Sequence, residues 1–323
     1  MSSLVITYYP YFQPSAAAAG VMCALFGIGF LVSTYQTIRY KAWIWFVMLL
    51  AMLMETVGYG ARIASANHVT NRNLYIIQFC LIILAPVLMA GIIYVAFGRI
   101  VFHVVPPEAR TVKLLWVPAR WLTPIFVGFD IFALFLQLVG AVIISGTQLT
   151  TPNAASKLHT GKNIALAGVS TQIGAFGLFT IIAARFHFTS RRFAADLERR
   201  FHAVPGDKFV TLEGSERKFK PRWRTLLYAI NFSCAMIIIR SIYREIDFSM
   251  GKQGYTQKHE WVVYVFDAIP MILLVIVYTI IPPGAYVSMG FRQRSKKTDQ
   301  QLPPPSSAID TEAYGMDSMP HQQ

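Results

Sequence analysis

A carboxylate and a guanidinium group, Glu55 and Arg62, lie seven residues apart inside an apolar block of the chain. In an α-helix this separation is close to two turns, or roughly 10 Å, so both side chains share one helical face. A charged side chain at the centre of a bilayer costs about 3 kcal/mol on insertion scales unless it is paired, protonated or wetted. Such residues usually face the interior of a helix bundle. The segment therefore indicates the polar interior of a membrane protein.

Other apolar blocks carry polar residues at the same kind of spacing. Arg240 and Arg244 are one helical turn apart, and Glu260 and Asp267 are two turns apart in the next block. Pairs at these spacings would bring one basic and two acidic helix faces together if the blocks pack against each other. The chemistry that this pattern predicts is recognition of a charged head group, or ion pairing within the bundle.

The elements that must position these residues are helices that cross a bilayer. Hydrophobic residues make up 54% of the 323 and charged residues 14%, and the mean hydropathy is +0.46. The apolar blocks reach the roughly 20 residues that a transmembrane helix needs. The sequence therefore predicts an all-α membrane protein, a seven-transmembrane-helix bundle within residues 15–290. Its predicted spans are about 16–38, 42–63, 76–102, 121–145, 163–188, 226–246 and 261–281.

Basic residues predict the orientation of the bundle. Lys and Arg are concentrated in alternate connections, above all in residues 189–223. By the positive-inside rule these connections are cytosolic. The N-terminal segment 1–14 is then extracellular, and the tail 291–323 is cytosolic. The net charge of +13 is thus an insertion signal, with no nucleic acid partner expected, and the basic loop is expected to contact anionic inner-leaflet lipid.

Two segments outside the spans have patterns of their own. Phe193, Leu197 and Phe201 recur every four residues among basic residues. This spacing is typical of an amphipathic helix that lies on the inner leaflet or continues the fifth span, and equally of a solvated helical extension. Residues 291–323 include a run of prolines and serines and are predicted to be disordered.

Proline falls within the third predicted span as Pro86 and within the seventh as Pro270. A proline inside a helix removes one backbone hydrogen bond and tends to kink the helix. Each residue is therefore a candidate for a static bend that packing accommodates, or for a hinge in gating.

The predicted orientation assigns a depth to each polar residue. The second and sixth spans run outward and the seventh runs inward, so Glu55, Arg240 and Asp267 all fall in the outer half of the bilayer. We expect a polar pocket there that opens to the outer leaflet and accepts the head group of an amphiphile. The alternative is a set of structural ion pairs, with Arg62 and Arg244 reaching towards the interface. The candidate residues are Glu55, Tyr59, Arg62, Gln78, Asp130, Gln137, Gln172, Arg240, Arg244, Glu245, Glu260 and Asp267.

The sequence lacks the patterns of a catalytic, metal or cofactor site. It contains no phosphate-binding glycine loop, so no ATPase activity is expected. His68, His159 and His259 form no His-x-x-x-His pair of the kind that binds zinc. All three cysteines lie within predicted spans, which argues against a disulfide framework. We therefore expect neither an enzyme nor a bound cofactor.

Taken in order, motifs on successive spans resemble the fungal lipid-translocating exporter family, the RTA-like proteins named for resistance to aminocholesterol. The resemblance covers about residues 9–290. The matching residues are Glu55-x-x-Gly58-Tyr59-x-x-Arg62, Gln78, Leu84-Ala85-Pro86, Tyr94-x-x-x-Gly98-Arg99, Asp130-x6-Gln137-x-x-Gly140, Gly161-x6-Gly168-x3-Gln172, Arg240-x-x-Tyr243-Arg244-Glu245, Glu260-x3-Tyr264-x-Phe266-Asp267 and Pro283-Gly284.

The resemblance implies a plasma-membrane protein that exports or flips sphingoid long-chain bases or toxic amphiphiles, and so confers resistance. Membrane lipids or amphiphilic small molecules would be its partners. Glu55, Asp130 and Asp267 could receive the ammonium group of a sphingoid base while its chain stays in lipid. The competing hypothesis is a receptor-like seven-helix sensor that affects lipid traffic indirectly, which the number and orientation of the helices suit equally well.

Overall fold

The computed structural model describes residues 14–68, 71–104, 119–146, 154–190, 210–211, 218–219, 223–250 and 254–287. Most of the N-terminal segment, the possible amphipathic helix around Phe193–Phe201 and the tail 291–323 lie outside these ranges. The expectations for those segments stay predictions.

Six α-helices form the first six spans, and each contains a predominantly apolar stretch long enough to cross a bilayer. A short 3-10 turn, Trp43–Trp45, precedes the second helix. The six helices are α1 Ala16–Arg39, α2 Phe46–Asn67, α3 Arg72–Val104, α4 Ala119–Gly146, α5 Ala154–Thr189 and α6 Trp223–Met250.

The seventh span is a composite of three helical segments. After a short helix α7, Tyr255–Lys258, the span consists of α8 Glu260–Val263, a π-helix Tyr264–Ala268 and α9 Ile269–Ile280. A 3-10 turn, Pro283–Ala285, follows. Within the described ranges, seven helical stretches are long and apolar enough to cross a membrane. The predicted seven-span fold is therefore confirmed, and the chain is a multi-pass membrane protein.

Between the fifth and sixth spans, the described part of the connection contains two strands of two residues each. Strand β1, Val210–Thr211, pairs antiparallel with β2, Lys218–Phe219, so that Val210 lies opposite Phe219.

The seven spans pack in a closed order. Each span packs against the next in the chain, the seventh returns to the first, and the third also contacts the sixth. The third and sixth spans are thus the most enclosed by protein, and the buried residues of the third contribute much of the core. Polar residues that face this third–sixth contact are removed from lipid.

Glycines let the fourth and fifth spans approach closely. A Cβ atom on Gly140 would lie 2.6 Å from the carbonyl oxygen of Gly161, and one on Gly168 would lie 2.7 Å from that of Ala133. Both distances are shorter than any real Cβ contact, so a larger residue would push the helices apart. Small residues at such contacts are common between membrane helices because they allow backbone packing.

Several helices extend beyond the predicted spans. The fifth begins at Ala154 rather than near residue 163, the third covers Arg72–Val104, and the sixth continues to Met250. The first turns of the fifth helix are polar but make protein contacts: the Lys162 ammonium donates to the carbonyl of Ser249 at 2.5 Å. Hydropathy alone cannot detect such an extension, since it scores lipid compatibility and not contacts between helices.

The two prolines named in the sequence analysis lie at different places in their helices. Pro86 lies within the continuous third helix, whereas Pro270 is the second residue of α9, directly after the π-helix. Pro124, which the sequence analysis did not name, lies inside the fourth helix. Because Pro270 has no N–H, the α-helical bond to the carbonyl of Phe266 cannot form. The residue before it, Ile269, donates its N–H to the carbonyl of Tyr264, five residues back, which is the π-helical pattern.

Candidate functional site

Four charged side chains from three spans meet inside the bundle. Glu55 comes from the second span, Arg240 and Arg244 from the sixth, and Asp267 from the π-helix of the seventh. We call these four residues the charged cluster. Glu55 and Asp267 are fully buried, with 0% of their surface exposed, so the cluster belongs to the protein interior and not to the lipid surface.

Asp267 is the centre of the ion pairing. Its two carboxylate oxygens accept from the Arg244 guanidinium at 3.0 Å and 2.5 Å, a bidentate geometry that favours arginine over lysine. The Arg240 guanidinium also contacts the same carboxylate. It donates in addition to the backbone carbonyls of Ile82, at 2.6 Å, and of Asp267, at 3.3 Å. One carboxylate thus holds two arginines together.

The π-helix explains how Asp267 reaches both arginines. Arg240 and Arg244 stand one turn apart on the sixth helix, so their guanidinium groups approach the seventh span at neighbouring levels. A π-helical turn widens the backbone locally, and such turns occur frequently at functional sites. Here the turn that contains Asp267 ends just before Pro270.

Among the described residues, Glu55, in contrast to Asp267, is buried without hydrogen-bond donors. Within the part of the chain that the structure describes, neither of its carboxylate oxygens has a hydrogen-bond partner, and the same holds for the hydroxyl of Tyr59 one turn further on. Both side chains are buried. Glu55 nevertheless lies within electrostatic range of Arg240, Arg244 and Asp267.

Close packing between the second and third spans brings the helix that holds Glu55 next to the binding partners of Arg240. A Cβ atom on Gly58 would come within 2.9 Å of the Ile82 side chain. The carbonyl of Ile82 accepts from Arg240. Gln78 is also buried and lies one turn from Ile82 on the third helix. The charged cluster therefore sits where the second, third, sixth and seventh spans meet.

A second ion pair lies closer to the end of the bundle where the first helix begins. The Arg62 guanidinium donates to Glu260 at 2.9 Å and to the hydroxyl of Tyr264 at 3.2 Å. The hydroxyl of Tyr264 donates in turn to Glu260 at 3.1 Å. The backbone N–H of Ser15, the N-cap of the first helix, also donates to Glu260 at 2.8 Å. This network joins the first, second and seventh spans.

Amide side chains face a cleft next to the charged cluster. The Gln137 amide donates to the Gln172 side chain at 3.0 Å, joining the fourth and fifth spans. Both amides, together with Arg240 and Arg244, line a cleft between the third, fourth, fifth and sixth spans. On the sixth span, Glu245 accepts from the Ser170 hydroxyl at 2.6 Å.

Asp130 lies apart from the cluster. Its carboxylate accepts from the Tyr94 hydroxyl at 2.8 Å. The Tyr94 ring contacts the rings of Phe126, Phe176 and Phe179, with centroids 5.6, 5.8 and 4.5 Å away. We call these five residues the aromatic region. It joins the third, fourth and fifth spans.

The sequence-predicted candidates thus fall into separate groups. Glu55, Arg240, Arg244 and Asp267 are together, whereas Arg62 and Glu260 form their own pair and Asp130 forms another. Tyr264 and Tyr94 were not among the candidates, although each bonds to one of them. Tyr264 could have been found, because it is four residues from Glu260 and so shares its helical face. Tyr94 carries no such signal, since its partner is on another helix.

No cluster of three or more His, Cys, Asp or Glu that could hold a metal ion occurs among the residues that the structure describes. The three cysteines, Cys23, Cys80 and Cys234, are unpaired. The chemistry available at the charged cluster is therefore ion pairing, hydrogen bonding and proton binding.

Comparison with known proteins places these features in a family. Residues 48–289 match the family described as "RTA1 like protein", a range that includes the whole charged cluster. No solved structure matches the chain.

Three relatives from Saccharomyces cerevisiae illustrate the similarity. Protoporphyrin uptake protein 1 is 34% identical over 71% of this chain and 65% of its own length. Protein RTA1 is 30% identical over 79% of this chain and 72% of its own. The sphingoid long-chain base transporter RSB1 is 23% identical over 85% of this chain and 72% of its own. The aligned segment thus spans just under two thirds of protoporphyrin uptake protein 1 and somewhat more of the other two.

Proposed function

The chain belongs to the RTA1-like family, and from this premise we propose that it moves amphiphilic lipids across a membrane. Sphingoid long-chain bases, or toxic amphiphiles of similar shape, are the proposed substrates, and export of such compounds would confer resistance. The proposed transport does not use an ATPase of the chain itself. The relative RSB1, named as a sphingoid long-chain base transporter, supports this substrate class.

The charged cluster is the observation that carries the proposal. Two carboxyl groups and Arg240 are buried, and Arg244 is largely buried, where the second, third, sixth and seventh spans meet. Ionisable residues within membrane spans are rare and typically mark substrate or ion pathways. A pathway for a lipid head group needs polar groups inside the bundle, whereas the lipid chain can stay in the bilayer.

Glu55 is the proposed acceptor for the ammonium group of a sphingoid base. Asp267 is already bound by two arginines, and Asp130 accepts from Tyr94. Glu55 has no hydrogen-bond partner in the described ranges of the chain. An ammonium group needs an acceptor of this kind once it leaves water.

The adjacent cleft suits the rest of the head group. The amides of Gln137 and Gln172 line it and can donate to, or accept from, the hydroxyl groups of a sphingoid base. Apolar residues, among them Ile83 and Val169, complete the lining. The cleft therefore offers polar contacts beside an apolar surface.

The proposed location is the plasma membrane, with the N-terminus outside and the C-terminus in the cytosol. The support is the concentration of basic residues in alternate connections, which the positive-inside rule assigns to the cytosol. In this orientation the charged cluster lies in the outer half of the bilayer, where an exported amphiphile would leave the protein.

Transfer in liposomes tests the proposal directly. The purified chain is reconstituted in vesicles that contain a sphingoid base labelled at the end of its hydrocarbon chain, and transfer between leaflets is followed by extraction with albumin. We expect transfer several-fold faster than in protein-free vesicles. If the chain binds the lipid but moves none of it, the receptor-like sensor becomes the better hypothesis.

A pair of arginine variants locates the pathway. Arg244→Gln removes one guanidinium from the cluster but leaves Arg240 to pair with Asp267, so we expect a folded protein with slower transfer. Arg185→Gln makes the same chemical change at an exposed position of the fifth span and should transfer like the wild type. Equal rates for both variants would remove the cluster from the pathway.

A further inference from the structure

We infer that Glu55 is an exchange site at which a proton and the ammonium group of the transported amphiphile alternate, so that lipid movement is coupled to proton movement in the opposite direction. This inference rests on the proposed function and adds its energy source.

The first argument is the contrast between the two carboxyl groups of the charged cluster. Asp267 accepts three side-chain hydrogen bonds or ion pairs from two arginines. Glu55 is equally buried, yet neither oxygen accepts a hydrogen bond within the described residues. An ionised carboxylate without donors is far more costly to bury than a neutral carboxyl group. In this arrangement the Glu55 site therefore holds a proton.

The second argument concerns the groups that face Glu55 from the packed spans. The sixth span contributes Arg240 and Arg244, and the seventh contributes Asp267. On its own span the nearest titratable group is Tyr59, which stacks against Phe26 of the first span at a centroid distance of 5.6 Å.

The third and first spans pack against the part of the second span that holds Glu55. The third span contributes the buried amide of Gln78 and the carbonyl of Ile82, and the first span contributes Cys23, whose thiol donates to the carbonyl of Thr56. Asp267 offsets only one of the two arginine charges. The remaining positive charge keeps an ionised Glu55 tolerable for as long as an exchange requires.

The third argument is charge conservation at the site. With a proton on Glu55 the cluster has a net charge of one positive unit, from two arginines and one aspartate. With the proton released and an ammonium group bound in its place, the net charge is the same. With neither bound the cluster is neutral and Glu55 is an ionised carboxylate buried without a donor, which is the costly state. The low-energy states are thus the two occupied ones, which favours exchange over uncoupled loss of either ion.

The exchange requires no covalent step. The proton leaves Glu55 for water on the side from which the ammonium group arrives, and a proton from the opposite side replaces the ammonium group when the lipid is released. One cation moves against one proton. A difference of one pH unit therefore supports about a tenfold accumulation of the lipid.

A lipid with a fixed charge separates coupling from passive trapping. The probe is a chain-labelled sphingoid base with a trimethylammonium head group, which cannot itself carry a proton. Proteoliposomes contain a pH-sensitive dye in the lumen. We expect the wild-type chain to move protons when the probe is added, and to accumulate the probe about tenfold per pH unit.

Three glutamate variants test the site itself. Glu55→Gln should abolish both proton movement and accumulation. Glu55→Asp keeps an exchangeable carboxyl group and should restore part of the coupling, which a purely structural role would not predict. Glu198→Gln, the same chemical change outside the predicted spans, should behave as the wild type.

The outcomes distinguish the two proposals. Transport of the probe by the wild type without proton movement would overturn the exchange and leave the proposed function intact. Proton movement that persists in Glu55→Gln would also overturn the exchange site. If the wild type moves the unmodified sphingoid base but not this probe, the proposed function stands and the exchange, which requires only a cation at Glu55, is overturned. If it moves neither lipid, the proposed function fails, and the exchange that rests on it fails too.

Discussion

The charged cluster and the aromatic region each bury a carboxyl group inside the same bundle, but they surround it differently. Asp130 in the aromatic region accepts one hydrogen bond from Tyr94, whose ring in turn contacts phenylalanine rings. In the charged cluster, Asp267 binds two arginines, and Glu55 lies beside them with no donor among the described residues. In the part of the chain that the structure describes, the aromatic region has one hydrogen bond between its five side chains, whereas in the charged cluster the hydrogen bonds and ion pairs gather on Asp267 and leave Glu55 without one.

This difference separates a structural site from a site that can change state. Aromatic rings packed edge to face gain a specific geometry in addition to buried area, and they have little reason to rearrange. The two arginines both bind Asp267 here, while the carboxyl group of Glu55 beside them is a second acceptor of the same kind, so a second pairing is available to them. A small shift of the π-helix that holds Asp267 would change which pairing is preferred. We therefore place motion in the charged cluster and rigidity in the aromatic region.

The largest expected effect is that of Asp267→Asn. The substitution leaves two buried arginines without their shared carboxylate, and breaking a buried ion pair in this way typically costs about 3–5 kcal/mol. We expect the free energy of unfolding in detergent to fall by about this amount, measured by denaturant titration. The loss should exceed that of removing the Tyr94 hydroxyl in the aromatic region.

A second substitution provides the control for Asp267→Asn. Combining it with Arg244→Gln removes one of the unpaired charges, so the double variant should recover part of the lost stability. If the double variant is less stable than Asp267→Asn alone, the two residues do not act as a pair, and the distinction between the two regions loses its basis.

A smaller effect is expected from Tyr94→Phe in the aromatic region. The variant keeps the ring but leaves the buried carboxyl group of Asp130 without its donor, which costs about 1–3 kcal/mol. The double variant Tyr94→Phe with Asp130→Leu removes both polar partners and should regain most of the stability. Denaturant titration measures both, and lipid transfer in liposomes should remain near the wild-type rate. A large loss of transfer with stability unchanged would show that the aromatic region is part of the pathway.

The extent to which sequence could predict this protein differs between the two regions. Seven spans followed from hydropathy, because each apolar run is a local property of the chain. Most of the charged cluster could be predicted from the sequence. Exposing Arg240, Arg244 and Asp267 to lipid is too costly, so these side chains had to meet inside the bundle. The sequence did not indicate which carboxyl group would bind both arginines, because that depends on the π-helix before Pro270. The pairing of Asp130 with Tyr94 could not be predicted either, since it depends on the relative rotation of the third and fourth helices.

The smallest expected effect concerns the pair of Arg62 and Glu260. This pair tests whether an ion pair near the charged cluster also contributes strongly to stability. Glu260 retains 13% exposure whereas Asp267 has none, so water screens the attraction between Arg62 and Glu260 more strongly. A double-mutant cycle with Arg62→Gln and Glu260→Gln should give a coupling energy of about 1 kcal/mol or less, which falls further in high salt. The backbone N–H of Ser15 and the hydroxyl of Tyr264 both bond to Glu260, so Glu260→Gln should cost more than Arg62→Gln. A coupling energy as large as that between Arg244 and Asp267 would mean that depth in the bundle does not decide the strength of these pairs, and the Arg62 network would then belong with the charged cluster.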